Sequence, residues 1–260
     1  MNTNLIAISG KIGSGKDLFY DYISYKEYIK ISKDTIDFQH YLSHIKHQNL
    51  PKTFANKKFA YKVKQIASII LNIPIEDFER DDVKNQPLTR WTTYKVGKKL
   101  FTNYSDATHY KYTSKLIAPI GFFTPTVRNF LQMIGTDLFR NVLNPDTWCI
   151  SLFNEYDPVN SKWIISDMRF PNEFDFVKNH GGITIRINRP VYQRIKNKFP
   201  NVPKENDSYV MEHVKQHDPD FYYVLTHKSE TSLDSHQFDE YIDNSGSMDH
   251  FTEQIDNIWL

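Results

Sequence analysis

A glycine-rich turn near the start of the chain constrains the fold more than any other feature. It follows a short apolar run, NLIAIS at residues 4–9, and precedes a segment whose apolar spacing predicts a helix over residues 16–27. A strand, a glycine loop and a helix in this order open a parallel α/β fold. The turn fits the pattern G-x-x-x-x-G-K, and its members are Gly10, Lys11, Ile12, Gly13, Ser14, Gly15, Lys16 and Asp17.

The residue types of this loop suit the binding of a phosphate group. Glycines let the backbone curl so that several N–H groups point to one phosphate, and the following helix adds its positive N-terminal end. Lys16 supplies a cation that can follow a transferred phosphoryl group. The next position usually holds a Ser or Thr whose hydroxyl binds magnesium, but here it is Asp17. A carboxylate can hold magnesium or cap the helix, and we favour the metal role.

A second polar cluster follows the buried-type strand KWIIS at residues 162–166. Ligands of open α/β sheets bind beyond the carboxyl ends of the strands, so Asp167 and Arg169 are candidates for a site there. Asp167 is placed to orient magnesium or an acceptor, and Arg169 can grip a phosphate in a bidentate manner. The alternative is a structural salt bridge between the two at a turn. A phosphate loop at the same sheet edge favours the functional interpretation.

A third cluster lies on a helix predicted over residues 126–141. Arg128, Gln132 and Gly135 are spaced by four and three, so they share one face of an α-helix, and Thr136 follows directly. Such a stripe is suited to reading a base edge and its phosphate. Taken by itself, the stripe is more typical of an ordinary solvated helix face.

The remaining pattern alternates strands with helices and predicts one α/β domain over residues 1–260, a central parallel sheet with helices on both faces. We predict a core formed by residues 1–31, 126–190 and 221–260. Residues 32–125 are interpreted as a substrate-side insertion, and the polar residues 191–220 as a mobile lid.

Charge and composition exclude several classes of function. The 32 Lys and Arg residues nearly equal the 31 Asp and Glu residues, so no global field draws the chain to nucleic acid or to a membrane. No stretch of about 18 apolar residues predicts a membrane span. The single cysteine, Cys149, excludes an intrachain disulfide and fits a cytoplasmic location.

The three clusters, in this order, resemble the phage-type deoxynucleoside monophosphate kinases. The shared motifs are SGxxxSGKD from residue 9, VRxxLQxxGTDL from 127, SDxRxxxE from 166, GGxTIxxxRP from 181 and HxSE from 227. The resemblance implies a P-loop nucleoside monophosphate kinase fold, with ATP and Mg²⁺ as the donor complex and a deoxynucleoside 5′-monophosphate as the acceptor. It also implies a phage origin and a location in the host cytoplasm.

The resemblance also implies roles for individual positions. Residues 10–17 and Arg189 match the donor-binding positions, and Arg186 and Arg189 match the start of the lid. We expect the metal at Asp17 and Asp167. The expected catalytic group is Lys16, Asp17, Arg128, Asp167 and Arg169. The expected acceptor-binding set is Lys64, Arg128, Gln132, Gly135, Thr136, Trp148, Asp167, Arg169 and Glu173, within which Trp148 is either core or packed beneath the acceptor.

Two alternative functions use the same loop. A P-loop kinase for another phosphorylated metabolite, such as dephospho-coenzyme A or phosphomevalonate, would need the same sheet and loop. A non-catalytic nucleotide-binding module would keep the loop but would not need Arg128 and Arg169. Many kinases of this fold form homodimers, and the sequence itself does not report an oligomeric state.

Overall fold

The computed structural model describes residues 4–48, 52–97, 99–101, 104–114 and 120–259. The chain divides into two compact units. We call Met1–Phe59 together with Trp148–Leu260 the core unit, and Ala60–Thr147 the inserted unit. The inserted unit begins and ends later in the chain than the insertion predicted at residues 32–125, and the substrate-side and lid labels stay predictions.

The chain forms eight strands and thirteen helices within its described part. The strands are β1 (Leu5–Ser9), β2 (Ala55–Lys57), β3 (Thr93–Val96), β4 (Lys99–Phe101), β5 (Ile120–Phe123), β6 (Trp163–Met168), β7 (Ile183–Asn188) and β8 (Glu240–Asp243). The helices are α1 (Lys16–Ser32), α2 (Phe38–His40), α3 (Phe59–Leu71), α4 (Asp81–Lys84), α5 (Tyr104–Thr113), α6 (Val127–Gln132), α7 (Thr147–Phe153), α8 (Pro171–Asn179), α9 (Val191–Ile195), α10 (Asp207–His217), α11 (Pro219–Thr226), α12 (Lys228–Thr231) and α13 (Met248–Trp259). Two π-helical segments, Tyr41–Ile45 and Met133–Leu143, and two 3₁₀ turns, Ile75–Glu79 and Thr89–Trp91, complete the helical structure of the described residues.

The core unit is built on a five-stranded sheet with the order β2-β6-β1-β7-β8. Every neighbouring pair in it is parallel, which confirms the predicted parallel sheet. Strand β1 is central, so its register fixes the ends of β6 and β7 on either side, with Ile6 paired to Ile164 and to Ile183. Because parallel strands share a direction, the carboxyl ends of all five lie at one sheet edge.

Apolar side chains on both faces of this sheet make the core. Ile6 and Ile8 of β1 pack in one buried cluster, with Phe19 of α1 and Phe251 of α13. Leu5 and Ala7 belong to a second cluster on the other face, which includes residues of α7, β6 and α8. Alternate residues of one strand point to opposite faces, so a strand covered by helices on both sides must be apolar throughout. That is why NLIAIS reads as a continuous apolar run.

The segment predicted as a polar lid at residues 191–220 is folded into helices α9 and α10 and the start of α11. Val210 and Val214, four residues apart on α10, are fully buried and pack with Val191, Ile195 and Leu225. The helical spacing of these few apolar positions is enough to build a small core of its own. Residues 191–220 therefore form helices that pack around a small hydrophobic core of their own.

The inserted unit contains a second, antiparallel sheet that the sequence analysis did not predict. Its order is β4-β3-β5, and Tyr94 of β3 pairs with Phe101 and Phe122. The region of residues 103–124, which showed no clear period, holds α5 and β5, while residues 103 and 115–119 lie outside the described part. Across the described residues, every helix is too short or too polar to span a membrane.

Candidate active site

The glycine-rich turn lies directly after the central strand β1 and directly before α1, as predicted. Its conformation requires glycine at two positions, because Gly13 has φ +75° and Gly15 has φ +103°. A Cβ on Gly15 would also lie 2.5 Å from Nδ2 of Asn244, which follows β8. One on Gly10 would lie 2.8 Å from the carbonyl oxygen of Ile187 in β7. Residues at the ends of neighbouring strands therefore lie so close to the loop that only glycine fits at these positions.

Lys16 is held inside this loop. Its side chain is buried, and its Nζ donates to the carbonyl oxygens of Gly10 at 2.6 Å and Lys11 at 3.0 Å. Burial, the largest cause, and the positive charge of Arg169 together lower the pKa of the Lys16 ammonium from 10.5 to about 8, although the Glu230 carboxylate opposes them. The loop thus encloses a cation that is poorly solvated and gains from an anionic partner.

The hydroxyl of Ser14 supports the same interpretation. Ser14 is buried, and its Oγ has no hydrogen-bond partner among the described residues. The Ser14 carbonyl, by contrast, accepts a hydrogen bond of 2.8 Å from Nδ2 of Asn244. A buried hydroxyl without a partner is costly, so an oxygen-rich ligand in the loop would satisfy it. The glycine cradle, the enclosed ammonium and this hydroxyl fit a phosphate group.

Arg169 and Asp167 lie at the carboxyl end of β6, as the sequence predicted. Asp167 Oδ1 accepts a hydrogen bond of 2.8 Å from the N–H of Phe59. The Arg169 guanidinium forms an ion pair with Glu230 in α12, and its side chain is one-third exposed. Glu173 is buried and accepts hydrogen bonds from the N–H groups of Arg169, at 2.7 Å, and Phe170, at 3.1 Å. These contacts of Glu173 shape the turn between β6 and α8; its predicted contact with substrate stays a prediction.

Two carboxylates approach one strand end in a way that suits a divalent cation. Asp17, in the first turn of α1, is largely exposed and pairs with Lys58 at 3.1 Å, while Asp167 meets the next residue, Phe59. Both carboxylates therefore lie against the junction between β2 and α3. Oxygen ligands from one or two carboxylates, completed by water and substrate phosphate, are the usual magnesium environment. The chemistry of these two donors fits Mg²⁺, and the assignment of Asp17 and Asp167 as its ligands stays a prediction.

Two arginines that follow β7 donate hydrogen bonds to carbonyl groups of the loop. Arg189 Nη1 donates to the carbonyl of Gly13 at 3.3 Å, and Arg194 Nη1 donates to the carbonyl of Ile12 at 3.1 Å. Burial lowers the pKa of the Arg194 guanidinium. Arg186, in β7 itself, is buried and donates to Ser9 Oγ at 2.9 Å. These contacts place the predicted lid arginines beside the donor loop of the same unit.

A cavity of about 860 Å³ opens beside the loop in the core unit. Its lining includes Lys11 of the loop, Asn188 and Arg189 at and after the end of β7, and Asp243 and Ser245 at and after the end of β8. Ligand pockets of small molecules are commonly 300–1,000 Å³, so the cavity has room for a nucleoside. Its polar lining supplies both donors and acceptors.

The inserted unit carries the third predicted cluster. Helix α6 begins with a capping box between Thr126 and Asn129 and continues into the π-helical segment. Arg128 and Gln132 share a face of α6 and are exposed; Gly135 and Thr136 lie in the wider π turn, where the predicted α-helical spacing no longer applies.

The two cations of the predicted acceptor set in this unit have acidic partners within the same unit. Arg128 Nη2 lies 3.2 Å from Asp81, and Lys64 forms an ion pair with Glu79. Trp148, predicted either as core or beneath the acceptor, is in α7 of the core unit and buried.

Sequence reasoning missed three residues that shape the loop. Glu230, Asp234 and Asn244 each contact loop residues from more than two hundred positions away in the chain. The HxSE motif, which ends at Glu230, was visible as a pattern in the sequence. The contacts of the three residues were not, since only the fold brings them to the loop.

A parallel sheet with a glycine loop after its central strand defines a P-loop, nucleoside monophosphate kinase-like fold. A family model for deoxynucleotide monophosphate kinases matches residues 4–199. The chain therefore belongs to the deoxynucleotide monophosphate kinase family.

A curated relative is similar to one part of this chain. It is the "Putative deoxynucleotide monophosphate kinase" of Acanthamoeba polyphaga mimivirus, 36% identical over 83 residues. The matched region covers 26% of this chain and 42% of that protein. The chain thus spans less than half the length of this relative in the comparison.

Proposed function

We propose that this protein transfers the γ-phosphoryl group of ATP to a deoxynucleoside 5′-monophosphate, with Mg²⁺, to give ADP and the diphosphate. The observation that carries the proposal is the enclosed Lys16 ammonium in a glycine cradle at the carboxyl edge of a parallel sheet. Membership of the family supports the acceptor class.

The donor phosphates are assigned to the loop, residues 10–17. Backbone N–H groups, the N-terminus of α1 and the Lys16 ammonium all favour negative charge there. On binding, Lys16 exchanges its two carbonyl partners for phosphate oxygens. The neighbouring cavity, beside Arg189, is assigned to the donor nucleoside.

The acceptor phosphate is assigned to Arg169 in the core unit, and the acceptor nucleoside to the Arg128 and Gln132 face of α6 in the inserted unit. A guanidinium has five N–H donors in a planar fork, which suits phosphate oxygens. Lys64, Gly135, Thr136 and Trp148 complete the proposed acceptor set.

Phosphoryl transfer depends on positioning and charge neutralisation rather than covalent chemistry. Lys16 holds the transferred group, Arg169 neutralises the acceptor phosphate, and the reacting oxygens come into line between them. Asp17 and Asp167 would hold Mg²⁺, which when bound neutralises the donor phosphate oxygens. Arg189 and Arg194 keep the loop closed and help to exclude water, which suppresses hydrolysis of ATP.

The test is a panel of acceptors. Purified protein is incubated with ATP, Mg²⁺ and each deoxynucleoside or ribonucleoside monophosphate, and ADP and diphosphate are measured. We expect turnover with one or more deoxynucleotides. ATP binding without turnover of any nucleotide would remove the acceptor assignment; dephospho-coenzyme A and phosphomevalonate would then be tried. The cytoplasmic location, the phage origin and a homodimer stay predictions.

A further inference from the structure

Glu230 of α12 joins the phosphate loop to the arginine at the end of β6. Its Oε2 accepts a hydrogen bond of 2.5 Å from the backbone N–H of Ile12, inside the loop. Its Oε1 forms the ion pair with Nη1 of Arg169. One carboxylate therefore connects the proposed donor site with the proposed acceptor-phosphate ligand, both within the core unit.

Because Glu230 is buried, its ion pair with Arg169 is part of the interior and differs from an ion pair on the surface. The residue is 6% exposed, whereas Arg169 keeps one-third of its side chain exposed. A buried carboxylate is tolerated where charged and hydrogen-bonding partners satisfy both oxygens, as they do here. The exposed part of the guanidinium leaves further N–H groups for an anion, since the ion pair occupies one nitrogen.

The neighbouring charges are held by the same short segment of chain. Asp234, four residues after Glu230, lies 2.8 Å from Nζ of Lys11 and 2.6 Å from Nη2 of Arg186. It is more exposed than Glu230, and its ion pairs are with Lys11 and Arg186. Within this segment, Glu230 is thus the carboxylate that sets the position of the arginine.

We propose that Glu230 is a positioning residue for phosphoryl transfer: it fixes the Arg169 guanidinium at a set place relative to the phosphate loop, so that the acceptor phosphate is presented in line with the donor. The inference rests on the proposed function. Glu230 acts through Arg169 and contacts neither substrate. An arginine side chain is long and has many rotamers, so its placement needs such a support.

The first test replaces Glu230 by the isosteric amide, Glu230→Gln. The amide oxygen can still accept from the Ile12 N–H, so the loop is kept while the charge on Arg169 is lost. We expect kcat with the deoxynucleoside monophosphate to fall about 10-fold to 100-fold, as for a misplaced group near the reaction. Affinity for a non-hydrolysable ATP analogue, measured by calorimetry, should stay within about 3-fold. The matched control is Glu253→Gln, which makes the same substitution at an exposed position of α13.

The second test asks whether Glu230 acts through the arginine. Arg169→Ala and the double variant Glu230→Gln/Arg169→Ala are compared with the single changes. Residues that act as one unit are not additive, so the double variant should lose no more kcat than Arg169→Ala alone. Additive losses would show that Glu230 acts elsewhere and would overturn the proposal. Glu230→Asp, which keeps the charge but is shorter, should recover part of the kcat.

The outcomes separate this inference from the proposed function. Wild-type protein without turnover of any deoxynucleotide removes the proposed function itself. An active wild type with Glu230→Gln within about 3-fold in kcat overturns the inference alone. If Glu230→Gln loses ATP affinity by the same factor as kcat/KM, its role is loop support and the inference also falls. Thermal unfolding of each variant checks the fold; if Glu230→Gln does not fold, Glu230→Asp enters the same cycle with Arg169→Ala.

Discussion

The phosphate loop and the α6 stripe are built in opposite ways. The loop is held by side chains of α9 and α12 and by residues directly after β7 and β8, and its lysine is buried. The stripe carries exposed side chains, and its Arg128 pairs with an aspartate, Asp81, that is 84% exposed. The cation of the loop is therefore enclosed by the fold, whereas the cation of the stripe is exposed to solvent.

This difference indicates which site is set in advance and which adjusts to its ligand. An exposed ion pair is worth roughly 0–1 kcal/mol, so Arg128 can exchange Asp81 for a substrate oxygen at little cost. The loop cannot change its backbone without disturbing several strand ends. We infer that the fold fixes the geometry of the loop, whereas Arg128, the proposed acceptor ligand, can change its partner.

The largest expected effect comes from Lys16→Ala. Removing the ammonium takes away one preorganised donor, and we expect kcat/KM to fall more than about 100-fold, or at least about 3 kcal/mol. Steady-state kinetics with ATP and the preferred deoxynucleotide measures it. Lys30→Ala, in the exposed last turn of the same helix, is the control and should behave as wild type. Wild-type turnover of Lys16→Ala would break the assignment of the loop.

A pair of glycine variants compares the rigidity of the two regions. Gly15→Ala places a Cβ at φ +103° and 2.5 Å from Asn244, so we expect the free energy of unfolding to fall by about 2–3 kcal/mol. Gly135→Ala meets only ordinary contacts, with Val63 at 3.5 Å, so its stability should change by less than about 1 kcal/mol. Urea denaturation measures both. Equal losses would contradict the contrast between a fixed loop and a tolerant stripe.

Much of the core unit could be predicted from the sequence because its signals are local. A buried strand reads as an apolar run, and a loop that needs positive φ reads as glycine. The strands β1, β6 and β7 and the helices α1, α3 and α8 follow from such runs. The last strand, Glu240–Asp243, has four residues, and such a short run gives only a weak signal.

The inserted unit and the supports of the loop could not be predicted in the same way. Strands β3 to β5 have three or four residues each, too few for a reliable period. The segment after α6 is π-helical, so Gly135 does not follow the α-helical periodicity that the spacing argument assumed. The contact between Ile12 and Glu230 joins positions 218 residues apart, and no local pattern can report it.

Arg128→Ala tests the adjustable side of the comparison. Its pair with Asp81 is exposed, so we expect no measurable change in thermal unfolding. If it grips the acceptor, KM for the deoxynucleotide should rise about 10-fold to 30-fold, near 2 kcal/mol, while ATP affinity stays the same. Asp81→Asn should lower KM slightly or leave it unchanged, because it frees Arg128. An unchanged KM in Arg128→Ala would show the stripe to be an ordinary solvated face.

The pH dependence needs no substitution and reports on the loop alone. The pKa of Lys16 is about 8 in the free protein, and the protonated form is the one that attracts phosphate. We expect kcat/KM for ATP to fall about 10-fold per pH unit above pH 8. The fall of kcat should begin at a higher pH, because bound phosphate stabilises the ammonium form of Lys16.

Unfolding does not explain such a fall. The folded pKa of Lys16 lies below its unfolded value of 10.5, so between pH 8 and 10.5 the unfolded chain binds more protons. This group therefore makes the fold more stable as pH rises through that window. Activity that declines while stability holds would place the titration in the loop. A flat profile between pH 7 and 10 would show that the Lys16 charge does not limit donor binding, and that the fixed geometry of the backbone carries it instead.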